Sequence, residues 1–188
     1  NGSLAMVVAE AKNRTEASSG TKWLDLWLST KQPPANVVLF RARLELPDRK
    51  AAIRFIDRFR DMSSDLDIRS QVARWHGLEG DNDRALAILR GVIEEDRSRH
   101  QDLLTLGLLE IQTDNLDSAE ARLKSLLASE QYRSNAYYHL GKVAVQKKQT
   151  DLAINRFLRV ERGDLIVEAR RQLADLAISQ DNPQQAHR

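Results

Sequence analysis

Residues 106–157 read LGLLEIQTDNLDSAEARLKSLLASEQYRSNAYYHLGKVAVQKKQTDLAINRF, and they hold one pattern twice. Leu106-Gly107 is followed by Ala119 and Leu123, and Leu140-Gly141 by Ala153 and Phe157, each residue 34 positions after its counterpart. The period extends outward from there. Ala17, Ala51, Ala85, Ala119 and Ala153 stand in one register. Twelve residues before them come Ala5, Leu39, Ala73, Gly107 and Gly141, small in four cases of five and each preceded by an apolar residue. Four residues after them come Thr21, Phe55, Leu89, Leu123 and Phe157. A sixth copy, with Leu173, Ala174 and Ala186, arrives one residue early.

A period of this length is the mark of a repeat architecture built from one supersecondary unit. Small residues on facing helices let two backbones approach, and the large apolar residue a turn later fills the next layer. A lone helix pair cannot bury its apolar stripe, so successive pairs stack and share a core. The expected helices cover about 4–13, 16–30, 36–46, 48–60, 66–79, 83–95, 100–113, 117–129, 134–147, 151–161 and 165–179, with a twelfth starting near Pro183. Asp117 followed by Glu120 has capping-box spacing, and Thr150 is an N-cap candidate. Gly163 is placed to end a helix in the left-handed conformation, where the period shortens by one. The fold class is therefore all-α, a solenoid of stacked antiparallel helix pairs filling residues 1–188. Its repeats fall at approximately 1–31, 32–65, 66–99, 100–133, 134–166 and 167–188. A start at Asn1 without Met and a last repeat cut off at Arg188 suggest a piece of a longer array.

The 34-residue helix–turn–helix period resembles the tetratricopeptide repeat family, carried by Val72-Ala73 with Ala85 and Leu89 and by the two copies quoted above. The proline that usually closes such a repeat is missing, with Arg97 and Gln131 at two of its sites. The resemblance implies a right-handed superhelix whose first helices line a concave groove that binds peptides or proteins. Ser134 to Gly141, the connector Val160 to Asp164 and the run Glu168 to Ala174 further resemble long-array lipoproteins of γ-proteobacterial outer membranes. Some of those are adaptors for a carboxyl-terminal processing protease. That second resemblance implies a periplasmic location or the periplasmic face of the outer membrane, with the cytoplasm as the alternative.

Helical spacing points to the groove residues, since positions three and four apart share a face. They run through Leu104, Leu108 and Ile111, then Tyr138, Lys142 and Val145, then Arg171, with Arg74, Phe40 and Arg43 on the other side. Asp175 and Ile178 continue the Arg171 series, and Ser70, Gly77 and Asn36 complete the rest. Such a groove has an apolar, aromatic centre rimmed by Arg43, Arg74, Lys142 and Arg171 and suits a protein or peptide segment with apolar anchors. It does not suit the Lys/Asn clamp by which some members of the family hold a terminal carboxylate. The same Leu104, Leu108 and Ile111 fit solenoid core equally well, because one sequence leaves helix rotation open. A double change, Leu104→Asp with Tyr138→Ala, is expected on the groove reading to weaken a partner and spare the fold.

Composition bounds the rest. The 188 residues carry 29 basic and 27 acidic side chains, a formal charge of +2, which is no electrostatic footprint for nucleic acid. Zero cysteines exclude a disulfide framework, thiolate zinc ligands and a thiol nucleophile. No apolar run approaches the ~18–20 residues of a membrane span. His76, His100, His139 and His187 are scattered without i, i+4 pairing. Glu79, Asp81 and Asp83 alternate like the start of a calcium loop, but Leu86 stands where its glycine belongs. Gly77 and Gly80 make no phosphate-binding pattern, and Arg162-Gly163-Asp164 matches an adhesion tripeptide by chance. No catalytic, metal or cofactor site is expected, nor a small-molecule substrate. Trp23 and Trp27 read as core, or as contact with a neighbouring repeat. Self-assembly through exposed ends or convex faces is the alternative to partner binding, and an RNA-binding helical repeat stands behind it.

Overall fold

The computed structural model describes residues 28–29, 35–45, 48–60 and 65–181. The helices expected over 4–13 and from Pro183, most of that over 16–30, and Trp23, Trp27 and His187 lie outside the described residues. Among the described residues every regular element is helical: α1 Ala35–Arg43, α2 Arg49–Arg60, α3 Leu66–Leu78, α4 Asn82–Glu95, α5 His100–Gln112, α6 Leu116–Ser125 with a 3-10 turn Leu126–Ala128, α7 Glu130–Gln146, α8 Thr150–Leu158 and α9 Leu165–Asp181. The helical period seen in the sequence is therefore the period of the fold. Four ends differ from expectation by three residues or more: α1 stops at Arg43 and α6 at Ser125, where a 3-10 turn follows, and the other two are in α7 and α8. Helix α7 begins at Glu130, four residues early, because Glu130-Gln131-Tyr132-Arg133 are all able helix formers behind Ser129. Helix α8 stops at Leu158, three residues early, and leaves a longer connector.

The chain forms two compact units, residues 1–92 and 93–188, with the division falling inside α4. In the first unit α1, α2 and α3 pack on one another around Val38, Ala42, Ala52, Ile56, Val72 and Trp75. Ala51, the residue in the 34-residue register, is only half-buried, and its neighbour Ala52 takes the core position. Arg41 and Arg58 stack their guanidinium groups 5.1 and 5.0 Å from the Phe55 ring. In the second unit each helix packs on the next, α5 on α6, α6 on α7, α7 on α8 and α8 on α9. The first helices of successive pairs, α5, α7 and α9, also touch in sequence order.

The small residues of the repeat do what their spacing implies. Ala85, Ala119 and Ala153 are fully buried. A Cβ built on Gly107 would stand 3.3 Å from Leu123, and one on Gly141 only 2.5 Å from Phe157. Helices α7 and α8 thus approach at a distance that glycine alone permits.

Three helix ends repeat one turn. After α3 the Asp81 amide donates to the His76 carbonyl and the Gly80 amide to Gly77. The same two bonds recur from Asn115 and Asp114 after α5, and from Gln149 and Lys148 after α7. This is the Schellman closure, which requires one residue in the left-handed region. Gly80 (φ 85°), Asp114 (φ 60°) and Lys148 (φ 57°) take that place at 34-residue spacing. The left-handed conformation strains any residue with a Cβ. Lys148→Gly is therefore expected to raise stability by about 0.5–1 kcal/mol. A urea midpoint that falls would contradict the assignment of strain.

The proposed caps are corrected. Asp117 does not cap α6, because Asn115 is the N-cap and Asp117 lies inside the first turn. Together with Glu120 it instead holds the Lys147 ammonium, at 2.7 and 2.6 Å, tying α6 to the end of α7. Likewise Gln149 is the N-cap of α8, and Thr150 is its first helical residue. Gly163 is left-handed (φ 85°), yet it sits in the connector ahead of α9, because α8 has already ended.

Candidate functional site

The ten groove positions divide between the units. In the first, Phe40 is half-buried and packs with Leu28, Val37 and Leu44, while Arg43 is exposed and Arg74 is half-buried with its polar atoms engaged. The second unit carries the other seven, on α5, α7 and α9.

Burial sorts these seven by repeat position. Leu104 and Tyr138 occupy equivalent places and are buried, with 5% and 6% of their surface exposed. Ser70, the corresponding residue of the first unit, is fully buried too. The Tyr138 ring lies 5.8 Å from that of Phe157, and its hydroxyl donates to Glu168 on α9 at 3.4 Å. Burial, and the neighbouring Glu168 carboxylate, push the Tyr138 phenol above its ordinary pKa. Leu104 is thus packed as the core alternative has it, and Tyr138, read only as a groove residue, is buried as well. The double change at these positions would open the packing, since it buries a carboxylate in one place and leaves a cavity in the other.

The next two repeat positions face outward. Leu108 is 36% exposed, Lys142 and Asp175 are exposed, Ile111 is half-buried, and Val145 and Ile178 are 37% and 63% exposed. Because α5, α7 and α9 are successive neighbours, Ile111, Val145 and Ile178 stand at one register on adjoining helices. Leu108, Lys142 and Asp175 stand at the register beside it. Lys142 has no ion pair or hydrogen bond among the described residues. Arg171 is exposed but committed to its own helix: its guanidinium pairs with both Glu168 oxygens and, at 3.3 Å, with Asp175. Helical periodicity placed these residues on one side of each helix. It could not say which of them the next helix would cover.

His139, beside Tyr138 on α7, is half-buried. Burial, and secondarily the Lys142 charge, hold its pKa down at about 4. A folded value below the unfolded one near 6.5 means that the neutral ring stabilises the fold fully above pH 6.5, and that this contribution is lost as pH falls toward 4. Between pH 7 and 5 about 1–2 kcal/mol should disappear. Glu120 does not confuse that window: Lys124 and then Lys147 hold its pKa near 2, so its contribution is complete above pH 4.5 and lost only below. The stability gap between the wild type and His139→Gln should therefore narrow from pH 7 to pH 5. A gap independent of pH would rule out the assignment.

Among the described residues no cluster of three or more His, Asp or Glu side chains is placed to hold a metal ion. His76 is buried with its Nδ1 3.3 Å from Asp81, and His100 lies ring to ring with Tyr132 at 5.8 Å. Of the calcium-loop look-alike, Glu79 pairs with Arg49 and Asp81 with His76 and Arg84. Two further pairs across helices had no sequence signal. One is the Lys147 clamp; the other joins fully buried Glu110 of α5 to Arg122 of α6, whose Nε lies 2.8 Å from each carboxylate oxygen. No described helix is long and apolar enough to cross a membrane.

No protein-family model and no curated protein matches the sequence. Solved structures do match in fold. MamA 41-end from Desulfovibrio magneticus RS-1 is 16% identical with a TM-score of 0.67, over 87% of this chain and 89% of that one. A human IFIT1 dimer with PPP-AAAA is 16% identical with a TM-score of 0.71, over 96% of this chain and 47% of that one. The APC/C hetero-tetramer Cut9-Hcn1 gives 20% identity and a TM-score of 0.60, over 84% of this chain and 28% of that one. All are helical-repeat proteins of the tetratricopeptide type, so the fold is an α-solenoid of that kind.

Proposed function

We propose that the chain is a non-catalytic scaffold that binds a protein or peptide on the outward face of its first helices. The observation that carries this is the register of Ile111, Val145 and Ile178 beside Leu108 and Lys142: apolar side chains left open on three adjoining helices, with an unpaired cation among them. An extended segment or amphipathic helix with apolar anchors, and an acid opposite Lys142, is the matching ligand. A face preorganised by rigid helix packing orders little on binding, so several modest contacts act together. Leu104 and Tyr138 support that face from below. Phe40, Arg43 and Arg74, on the first unit, belong to the proposal on the sequence pattern alone. The hetero-tetramer formed by Cut9-Hcn1 and the dimer formed by IFIT1 are in keeping with a fold used for joining protein chains. Service as an envelope adaptor for a protease is the finer form of this reading, and the lipoprotein-like stretches of sequence are its support.

The test uses Val145→Asp and Ile178→Asp, both at exposed positions, with Leu158→Asp on α8 as the control. A partner captured from host extracts by the wild type and the control should bind each face variant at least about tenfold more weakly. Equal recovery on all four proteins would defeat the proposal and favour self-assembly, which a concentration-dependent mass in solution would reveal.

A further inference from the structure

A polar depression opens between the first two turns of α7 and the connector that leads from α8 to α9. Its two adjoining lobes measure about 470 and 290 Å³ and share Glu130, Ser134 and Arg162. The smaller lobe is bordered by three guanidinium groups, each held by one anchor. Arg133 donates from Nε to the Leu127 carbonyl at 3.0 Å. Arg159 lies 5.6 Å over the Tyr137 ring and donates to its hydroxyl at 3.3 Å. Arg162 donates from Nη1 to Glu130 at 2.5 Å. An arginine carries five N–H donors, so most of each fork is left over. The connector is itself fixed on α7, because the Arg162 amide donates to the Ser134 hydroxyl at 3.2 Å. The cleft thus presents oriented, unused donors, the arrangement that recognises planar or tetrahedral oxyanions.

Glu130 shows where such an anion would sit. Its side chain is 72% exposed and that of Arg162 75%, so the pair is solvent-screened and opens at little cost. Glu161, at the rim, has no partner among the described residues. We propose that this cleft binds an oxyanion-bearing side chain of a protein partner, a carboxylate or a phosphate ester, with Arg159 and Arg162 as its donors and Glu130 as a built-in competitor. A nucleic-acid strand fits poorly. It needs a track of cations and open aromatic faces, whereas these arginines surround one small cleft and Arg159 covers the Tyr137 ring. The inference stands apart from the apolar register, which lies on the C-terminal half of α7.

The experiment titrates the intact chain with three versions of one short uncharged peptide, carrying serine, phosphoserine or a glutamate triplet. The serine version should not bind, and at least one anionic version should bind saturably. Preference between the two anionic peptides distinguishes phosphate ester from carboxylate. The double change Arg159→Gln/Arg162→Gln, at exposed positions and checked for unchanged helix content, should weaken binding about tenfold. Glu130→Gln should tighten it about two- to fivefold by removing the competitor. Amide shifts at Ser134 and Gly163 should follow the titration. The proposal is overturned by any of three results: neither anionic peptide binds, the double change leaves binding intact, or Glu130→Gln fails to tighten it. An oligonucleotide that displaces the peptides at lower concentration overturns it too, in favour of nucleic acid.

Discussion

Gly141→Ala should destabilise the second unit by about 2–3 kcal/mol, although alanine is the better helix former by about 1 kcal/mol. The new methyl would stand 2.5, 2.7 and 2.8 Å from three atoms of the Phe157 ring, which is almost fully buried. Neither the ring nor α7 can move without disturbing Ala144, Tyr138 and Ala169, which pack in the same cluster. Gly107→Ala is the internal contrast. There the methyl meets a leucine side-chain end at 3.3 Å, and the helix-propensity gain offsets most of the strain, leaving a change within about 1 kcal/mol. The first unit already shows the filled arrangement, with Ala73 and Leu89 both buried at the corresponding places. Phe157→Leu should accordingly rescue Gly141→Ala. The double variant should be more stable than the sum of its single changes by at least about 1 kcal/mol. Additive losses in urea unfolding would show that the close approach is not what glycine is there for.

Arg122→Leu should cost about 3 kcal/mol, because it strips a charged partner from a carboxylate with no solvent-accessible surface. Arg122 is itself 28% exposed, which keeps the loss at the lower end for a broken buried pair. Replacing both Glu110→Leu and Arg122→Leu should recover most of that loss, since the buried carboxylate is then removed with its arginine. A double variant no better than Arg122→Leu alone would mean that the pair contributes through geometry, and not by offsetting the cost of burying the carboxylate. Urea midpoints of the wild type and the two variants, with helix content followed by circular dichroism, decide between them.

Much of this molecule is one-dimensional. Ala119 with Leu123, and Ala153 with Phe157, lie 34 residues apart in the chain and hold the same place in successive helix pairs. Period therefore translates directly into stacking. The left-handed turn at Gly80 recurs 34 residues on at Asp114, a residue that tolerates that conformation, and again at Lys148, whose chemistry does not advertise it. Where the chain departs from strict repetition the sequence misleads. Asp117 and Glu120 have the spacing of a cap, but an ammonium 27 residues beyond Glu120 claims both.

Among the described residues the sequence alone determined which segments are helical, to within a few residues at their ends, and that small residues line the close contacts, because both follow from local spacing repeated along the chain. It also narrowed the outward face to a few positions per first helix. Only tertiary structure decided that Leu104 and Tyr138 are covered while Leu108, Lys142, Val145 and Ile178 are not. The choice depends on the rotation of each helix about its axis. Contacts with the helix of the next repeat set that rotation, and a difference of one position moves a side chain by about 100° around the helix, from solvent to core. The Glu110–Arg122 pair and the arginine-lined cleft share this origin. Their members come from different elements, and no spacing rule relates them before the helices are packed.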